Sequence, residues 1–334
     1  MSTRNRQFTL AARPQGMVKR SDFGFAEAAI PEPKDGEVLV KTHYISLDPA
    51  MRGWMNEGKS YIRPVALGEV MRAGTVGEVV ASKSAAFKPG DHVVGTWGVQ
   101  DYAAVAPDTL SKVDTRLAPL PKYLGVLGMP GLTAYFGLLE IGQPKAGEVV
   151  VVSGAAGAVG QVVGQIAKIH GCTVIGLAGG ADKCSFVVKE LGFDACIDYK
   201  SQDVKKTLRE AAPKGVDVYF DNVGGDILDA VLTQIRMKAR IVICGAISQY
   251  NNTTPVKGPS NYMSLLVNRA RMEGMVVFDW APRYGEGIKA MAGWMAEGKL
   301  KSREDIVEGL ETFPDTLNKL FTGENFGKLL IKVE

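Results

Sequence analysis

The feature that most constrains this chain is a run of valines followed at once by a glycine-rich turn. Four of the five residues in Val149–Ser153 are valine, which predicts a strand buried on both faces. Gly154, Gly157 and Gly160 follow, and apolar residues at helical spacing then predict a helix over residues 161–170. Glycines let backbone N–H groups approach a diphosphate, and the N-terminus of a helix favours negative charge. The segment therefore predicts a site for the phosphates of a nucleotide.

A second strand, predicted over Thr173–Ala178, closes a βαβ unit of about 30 residues and indicates which dinucleotide fits. Sites for NAD usually place Asp or Glu at the tip of this strand, where the carboxylate binds the ribose 2′-OH. Here residues 178–181 read Ala-Gly-Gly-Ala, and Lys183 offers a positive charge shortly afterwards. The sequence therefore favours NADPH over NADH. The alternatives are a tight turn that binds no ligand and a Lys183 side chain that is simply solvated.

Length and composition exclude several classes of protein. A chain of 334 residues suggests two domains, and 46% hydrophobic with 22% charged residues is typical of a globular protein. The net charge of +3, without a basic cluster, argues against nucleic acid as a partner. We find no uninterrupted apolar stretch of membrane-spanning length and no secretory signal, so we expect a cytoplasmic protein without a membrane partner.

Cysteine and histidine positions argue against a metal. The sequence contains four cysteines and three histidines, namely Cys172, Cys184, Cys196, Cys244, His43, His92 and His170. The cysteines form no C-x-x-C pair and are expected to act as small buried residues. The histidines are isolated in the sequence and are expected to be structural or at the surface. Because structural zinc sites use closely spaced ligands, we expect no metal site.

The pattern of predicted secondary structure changes near residue 125. Segments 37–45, 74–80 and 91–95 are rich in β-formers between Gly, Pro and Asp turns, which predicts a compact, mostly β domain of barrel-like form. A predicted helix over 315–321 and a strand over 325–333 end the chain, and we expect this strand to return to the first domain. The first domain is therefore predicted to comprise residues 1–125 plus 298–334.

Residues 126–297 alternate strands with helices. Further strands are predicted at 195–198, 216–220, 240–244 and 275–278, with helices at 183–191 and 225–237 among them. Repeated alternation of this kind predicts a doubly wound parallel sheet, with the ligand crevice at the carboxyl ends of its strands. The fold class is α/β, with a β-rich domain beside it.

Six motifs carry a resemblance to a known family. They are Ser46-Leu-Asp-Pro-Ala-Met-Arg-Gly53, Gly131-Leu-Thr-Ala-Tyr135, Ser153-Gly-Ala-Ala-Gly-Ala-Val-Gly160, Asp221-Asn-Val-Gly-Gly225, Cys244-Gly-Ala-Ile-Ser-Gln-Tyr-Asn251 and Asn325-Phe-Gly-Lys328. With them the chain resembles the zinc-free medium-chain dehydrogenase/reductases, in the NADPH-dependent alkenal/one double-bond reductase branch, which includes prostaglandin reductases, plant double-bond reductases and bacterial curcumin reductases. The resemblance implies a GroES-like β-domain and a Rossmann domain with the active site between them. It also implies a homodimer and no metal, since the first domain lacks cysteine.

The resemblance assigns cofactor contacts by position. It implies that Ala156, Gly157, Val159 and Gly160 lie under the diphosphate, and that Lys183 and Tyr199 hold the 2′-phosphate. It places Asn222, Cys244, Gly245, Ala246, Ile247, Ser248, Tyr250, Phe278 and Asn325 along the rest of the cofactor, the last two at the nicotinamide end. For Tyr199, simple packing after a strand is the alternative.

The substrate side departs from the family pattern at one position. Ala50 stands where related sequences usually have tyrosine, which implies a reshaped pocket. The expected substrate wall consists of Ala50, Trp54, Tyr61, Met129, Met263 and Phe278, and ordinary packing is the alternative for each.

The expected reaction is reduction of the C=C bond of an α,β-unsaturated ketone or aldehyde by NADPH. Negative charge then develops on the carbonyl oxygen, and Tyr250 is the expected hydrogen-bond donor to it. A tyrosine that only packs against the cofactor is the alternative. The rival functions are a zinc-free quinone reductase, a non-catalytic NADPH-binding protein and, ranked below them, an alcohol dehydrogenase.

Overall fold

The computed structural model describes residues 4–333. The described residues form the strands β1 (Arg4–Leu10), β2 (Phe23–Ala29), β3 (Val38–Ser46), β4 (Thr75–Ser82), β5 (His92–Gly95), β6 (Tyr102–Val105), β7 (Ser111–Lys112), β8 (Val149–Ser153), β9 (Thr173–Ala178), β10 (Ala195–Asp198), β11 (Val216–Asp221), β12 (Ile235–Ile243), β13 (Arg271–Gly274), β14 (Glu304–Glu308) and β15 (Lys328–Lys332). The α-helices are α1 (Ala50–Trp54), α2 (Met129–Phe136), α3 (Gly160–Ile169), α4 (Ala181–Lys189), α5 (Val204–Ala211), α6 (Gly225–Leu232), α7 (Met263–Asn268), α8 (Tyr284–Ala296) and α9 (Phe313–Thr322). Within the described range, none of these helices has the length and apolar character needed to cross a membrane.

The chain divides into two compact units. The β unit runs as far as Leu124 and resumes at Glu304, and the α/β unit is Gly125–Arg303. Residues 298–303 therefore group with the α/β unit, although the sequence places them in the other domain. The reason is a pair of buried glutamines in α3 that the sequence pattern does not reveal as anchors.

Those glutamines bind the backbone after α8 much as a neighbouring strand would. Gln165 Nε2 donates to the Lys301 carbonyl and its Oε1 accepts from the Lys301 N–H, both at 2.8 Å. Gln161 does the same with Arg303, at 3.2 and 3.0 Å. Because buried amides must find partners, these four bonds fix the segment to α3.

The α/β unit contains a six-stranded parallel sheet in the order β10-β9-β8-β11-β12-β13. Counted within the unit, this is the order 3-2-1-4-5-6 of the doubly wound dinucleotide-binding folds. The strand order reverses between β8 and β11, so their carboxyl ends form the switch point where such sheets bind ligands. The first three predicted strands have the bounds that the sequence indicates. For β8 and β9 the reason is that strands buried on both faces are continuous apolar runs.

Two predictions in this unit are wrong. The helix predicted over 225–237 ends at Leu232, and Ile235 already begins β12, whose first residues bulge at Lys238 with φ of +63°. The strand predicted over 275–278 is β13, Arg271–Gly274, four residues earlier. β13 is a largely exposed edge strand, so it lacks the apolar signal, and the apolar residues after it enter a 3-10 segment, Val277–Arg283.

The β unit contains a seven-stranded sheet and a separate hairpin. The sheet order is β14-β15-β3-β4-β5-β7, with β6 also paired to β3, and β1 pairs with β2. The C-terminal strand β15 lies between β14 and β3, antiparallel to β3, so the end of the described chain completes this sheet. An ion pair of the buried Lys328 fixes it there, since Lys328 Nζ donates to Asp48 Oδ1 at 2.8 Å and to the Leu47 carbonyl at 2.6 Å.

Two helix-interior glycines give a matched test of packing in the α/β unit. A Cβ at Gly164 in α3 would lie 1.8 Å from the ring of Phe193, which is only 2% exposed and has no room to move. A Cβ at Gly293 in α8 would meet no atom within 4 Å. We therefore expect Gly164→Ala to lower the free energy of unfolding by about 1–3 kcal/mol through overpacking.

Gly293→Ala is the control, and it should raise the free energy of unfolding by about 0.5–1 kcal/mol because alanine is the better helix former. Urea denaturation of both variants measures the difference. Equal effects of the two substitutions would contradict the packing described for α3.

Candidate cofactor site and active-site residues

A single carboxylate oxygen organises the switch point of the parallel sheet. Oδ1 of Asp221, the last residue of β11, accepts hydrogen bonds from Ser153 Oγ at 3.0 Å and Tyr219 Oη at 2.8 Å. The backbone N–H groups of Val223 and Gly224 donate to the same oxygen, both at 2.9 Å. Burial raises the pKa of Asp221, and these donors work against that shift. The network ties the ends of β8 and β11 to the loop that follows β11.

Asn222, a predicted cofactor contact, is part of this junction. Its N–H donates to Ser153 Oγ at 2.9 Å and its Nδ2 donates to the Ser153 carbonyl at 2.7 Å. No role for Ser153, Tyr219 or Asp221 follows from the sequence pattern alone. The sequence does contain one signal, since Ser153 and Asp221 are polar residues at the ends of otherwise apolar buried strands. Buried polar groups require partners, so these two residues could be expected to bind each other.

The glycine-rich turn after β8 is shaped as a phosphate site requires. Gly154 has φ of +61°, and the Gly157 N–H donates to its carbonyl at 2.9 Å. A Cβ at Gly160 would lie 2.2 Å from that same carbonyl oxygen, so the helix can begin here only with glycine. Val159 is the N-cap residue of α3, and its side chain makes no hydrogen bond to the first N–H groups of the helix. Ala156 lies in the turn itself, and all of the predicted diphosphate contacts therefore lie on this turn and the start of α3.

The predicted 2′-phosphate contacts surround the turn after β9. A Cβ at Gly179 would lie 2.6 Å from Tyr199 Oη, so the tyrosine lies against the glycine pair that precedes α4. Lys183 is in the first turn of α4. The structure therefore places both side chains next to one turn at the tip of β9, where a dinucleotide fold holds its adenosine ribose.

Asp198 stabilises that turn from the neighbouring strand, which sequence reasoning missed. Its Oδ1 accepts from the Gly180 N–H at 2.7 Å and the Lys200 N–H at 3.0 Å, and Ser201 Oγ donates to Oδ2 at 2.7 Å. The hydrogen bond from Gly180, followed by the one from Ser201, lowers the pKa of Asp198. The carboxylate of Asp198 therefore binds the backbone of the turn. The tip of β9 itself carries no acidic residue.

Two cysteines that the sequence separates by twelve positions meet beneath this turn. The sulfur atoms of Cys184 and Cys196 are 2.8 Å apart, and both residues remain thiols. Burial raises the pKa of each thiol. Because the thiolate is the reactive form, neither cysteine has the environment of a nucleophile.

The loop after β12 pairs with the loop after β11. Ile247 N–H donates to the Asn222 carbonyl at 3.3 Å, and Ser248 donates to the Val223 carbonyl through its N–H at 3.2 Å and its Oγ at 2.7 Å. Cys244, at the start of this loop, is half-buried, and desolvation raises the pKa of its thiol to about 12. The predicted nicotinamide segment therefore lies at the switch point, beside Asn222.

Tyr250 folds back over its own loop. Its Oη accepts a hydrogen bond from the Ala246 N–H at 3.1 Å, and a Cβ at Gly245 would lie 2.7 Å from the same oxygen. Glycine at 245 is therefore what allows the phenol to reach the loop backbone. A phenol has one donor hydrogen beside its acceptor lone pairs, and the Ala246 contact uses the oxygen as an acceptor.

The predicted substrate residues of the α/β unit lie on separate segments. Met129 begins α2, where Tyr284 Oη is 3.8 Å from its sulfur, and Phe278 lies in the 3-10 segment that replaces the predicted strand. Met263 begins α7, next to the exposed apolar residues Leu266 and Val267. All three predicted residues are 40–49% exposed, and their contact with substrate stays a prediction.

In the β unit, the structure brings Trp54 and Tyr61 together. Trp54 Nε1 donates to Tyr61 Oη at 3.4 Å, and the guanidinium of Arg72 lies 5.7 Å from the tryptophan ring centre. Ala50 begins α1, the same short helix that ends at Trp54. Asn325 lies before β15, where its Nδ2 donates to the Gly327 carbonyl at 3.1 Å.

Arg52 is buried and holds α1 in place. It belongs to the motif over residues 46–53, but the motif does not indicate this role. Its guanidinium donates to the carbonyls of Gly16 at 3.2 Å and Pro14 at 3.0 Å, and to Asn56 Oδ1 at 2.5 Å. Burial lowers the pKa of Arg52. These bonds hold the helix that carries Ala50 and Trp54.

Comparison with known proteins gives the following similarities. A family model for the N-terminal domain of oxidoreductase matches residues 6–113, and one described as zinc-binding dehydrogenase matches residues 158–293. The NADPH-dependent curcumin reductase of Escherichia coli (strain K12) is 45% identical over 335 residues, covering 99% of this chain and 97% of the relative. The 2-alkenal reductase (NADP(+)-dependent) of Nicotiana tabacum is 41% identical over 337 residues, covering 98% of this chain and 97% of the relative.

Among solved structures, CurA in complex with NADPH from Vibrio vulnificus superimposes with a TM-score of 0.94 at 45% identity, covering 98% of this chain and 99% of that one. Similarity of this extent involves both units of the chain.

Proposed function

This chain belongs to the medium-chain dehydrogenase/reductases, in their branch of NADPH-dependent double-bond reductases, and on that premise we propose that it reduces the C=C bond of α,β-unsaturated ketones and aldehydes. The observation that carries the proposal is the junction at the switch point. There Ser153, which leads into the phosphate turn, Asn222 and the loop that carries Tyr250 are joined by hydrogen bonds around Asp221. A site with these parts can hold a dinucleotide and present a phenol beside its reactive end.

NADPH fits the residues present and, when bound, supplies the hydride that reaches the β-carbon of the substrate. In the proposed site, the turn from Gly154 to Gly160 binds the diphosphate through backbone N–H groups and the dipole of α3. Lys183 and Tyr199 bind the 2′-phosphate, and Asn222 with the loop from Cys244 to Tyr250 binds the nicotinamide half. Phe278 and Asn325 complete the nicotinamide contacts in this proposal.

Tyr250 is the proposed donor to the substrate carbonyl oxygen, where negative charge develops during the reaction. Its oxygen already accepts the Ala246 N–H, which holds the phenol in place before substrate arrives. A donor that is positioned in advance stabilises developing charge without reorganisation. The substrate is proposed to contact the apolar side chains of Ala50, Trp54, Tyr61, Met129, Met263 and Phe278.

A copy of the same chain is the proposed partner, giving a homodimer. β13 ends the sheet order, and within the described residues only β12 pairs with it. Beside this edge, α7 leaves Leu266 and Val267 68% and 66% exposed. An unpaired edge next to exposed apolar side chains is a surface that natural proteins cover, and a second β13 would cover it.

We also place the protein in the cytoplasm. The four cysteines are well separated in the sequence and form no C-x-x-C pair. Such a pattern lacks the dense disulfide framework of small secreted domains and suits a reducing compartment. The proposal is checked by fractionating cells and following the protein with an antibody.

Tyr250→Phe tests the proposed chemistry. Removing a donor that stabilises an oxyanion costs roughly 100-fold in kcat, and we expect a loss of that order for reduction of an enone. The dissociation constant of NADPH should change little, because the ring remains. Stopped-flow absorbance of NADPH, with Tyr262→Phe as a control at an exposed tyrosine, measures both quantities. Unchanged kcat in Tyr250→Phe would remove this residue from the reaction.

Lys183→Ala tests recognition of the 2′-phosphate. A hydrogen bond to a charged group contributes about 1.5–3 kcal/mol, so the dissociation constant of NADPH should rise by roughly 10- to 100-fold while that of NADH stays nearly constant. Lys189→Ala, at the other end of α4, is the matched control and should bind both cofactors as the wild type does. Equal weakening of NADPH and NADH by Lys183→Ala would show that the lysine does not recognise the phosphate.

Val267→Glu tests the proposed dimer. Burying an unpaired carboxylate against the partner should weaken association by at least roughly tenfold, a free-energy change of about 1.4 kcal/mol. Val188→Glu substitutes another exposed valine, on α4, and should leave association unchanged. Sedimentation velocity over a range of concentrations gives the dissociation constants. A wild-type protein that sediments as a monomer throughout would overturn this proposal.

A further inference from the structure

Three side chains that commonly ligate metals meet on the sheet of the β unit. His43 lies on β3, Glu78 on β4 and His92 on β5, so they come from three neighbouring strands. The ligand atoms that they offer all lie within 4.8 Å of one another. Both histidines are isolated in the sequence, and positions 43 and 92 become neighbours only through the pairing of these strands.

Strand register explains why they meet. Glu78 is directly opposite His92 across β4 and β5, and opposite Lys41 across β3 and β4. β3 carries one extra residue between Thr42 and Tyr44, which makes His43 the bulged residue of this pair of strands. A bulge redirects the side chain that it carries, and here the imidazole comes to lie with its Nε2 3.7 Å from Glu78 Oε2.

The bulge depends on a glycine opposite it. A Cβ at Gly77 would lie 2.0 Å from the Lys41 carbonyl oxygen and 3.2 Å from Cα of Thr42. No other residue allows β3 and β4 to approach so closely at this point. The position of His43 is therefore built into the backbone of the sheet and does not depend on a mobile surface side chain.

We propose that His43, Glu78 and His92 bind one divalent transition-metal ion of the zinc class. Two imidazoles with one carboxylate are a known zinc ligand set, and water takes the fourth position of such a site. Zinc–ligand bonds of about 2.0–2.1 Å put tetrahedral ligand atoms roughly 3.3 Å apart, so the 3.7 Å between His43 and Glu78 needs only a small adjustment. The two imidazole rings are stacked 6.0 Å apart, on the same side of the sheet.

The charges around the cluster suit a cation. Glu78 supplies the negative charge that a cation needs, and an imidazole ligates a metal through the lone pair of one ring nitrogen. All three side chains are half-buried, which leaves room for the ion to enter from solvent.

The role of this ion is structural. It connects β3, β4 and β5, and the backbone of the two histidines extends that connection, since Val333 N–H donates to the His43 carbonyl and Val113 N–H to the His92 carbonyl, both at 2.8 Å. A metal that binds the folded but not the unfolded chain stabilises the fold by mass action. None of these three residues belongs to the proposed cofactor or substrate contacts, so the site is independent of the proposed reaction.

Cobalt(II) is the probe for the site, because it occupies zinc sites and has visible absorption. Protein stripped with a chelator is titrated with Co²⁺, and we expect one equivalent to bind, with bands typical of nitrogen and oxygen ligands, and to be displaced by Zn²⁺. We expect binding to weaken by at least roughly tenfold in each of the variants His43→Gln, Glu78→Gln and His92→Gln. Mutation of residues that only hydrogen-bond to a metal ligand already costs about that much affinity, and loss of a ligand should cost no less. His170→Gln, at the remaining histidine, is the matched control and should bind as the wild type does.

Thermal unfolding supplies a second measurement. Zn²⁺ should raise the midpoint of the wild type and of His170→Gln but not of the three ligand variants, whose midpoints without metal report whether they fold. Wild-type binding no tighter than that of His43→Gln would overturn the proposal. Intense sulfur-to-cobalt charge-transfer bands would also overturn it, since they would assign the ion to Cys184 and Cys196.

Discussion

The hydrogen bonds to one oxygen of Asp221 are the interaction on which the cofactor side of this molecule depends. That oxygen lies where the order of the parallel sheet reverses, and it receives donors from β8, from β11 and from the loop after β11. Asp221 is only 1% exposed, so its buried carboxylate is stabilised by these four donors in place of water. The positions of Asn222 and of the Tyr250 loop follow from this one junction.

The β unit depends on a different buried charge. Lys328 is 1% exposed and binds Asp48 and the Leu47 carbonyl, which joins β15 to the segment that leads into α1. Removing one partner of a buried ion pair typically costs about 3–5 kcal/mol, because the other charge is left behind. Each unit therefore fixes its proposed site residues through a buried carboxylate or ammonium group that takes no direct part in the proposed reaction.

The sequence predicted what depends on local pattern and missed what depends on pairing between distant segments. The buried strands β8 and β9 and the half-buried edge strand β10 have their predicted bounds, whereas the predicted position of the exposed edge strand β13 is wrong because β13 has no apolar run. The fold class, the family and NADPH as cofactor are confirmed by the similarities to known reductases. The assignments of individual residues to cofactor and substrate stay predictions.

The residues that sequence reasoning missed share one property. Asp221, Asp198, Lys328 and the cluster around Glu78 each have a partner on a distant segment, which they meet only when the chain folds. No spacing rule along the chain could indicate these contacts, since a bulge or a register shift decides which side chains meet.

The most direct test of the account is to follow the transferred hydrogen itself. The protein is incubated in ordinary water with an enone and NADPH that carries deuterium at the transferred position, and the product is examined by NMR. The account predicts a saturated ketone with deuterium at the β-carbon and a solvent proton at the α-carbon. An allylic alcohol with deuterium at the former carbonyl carbon would contradict it.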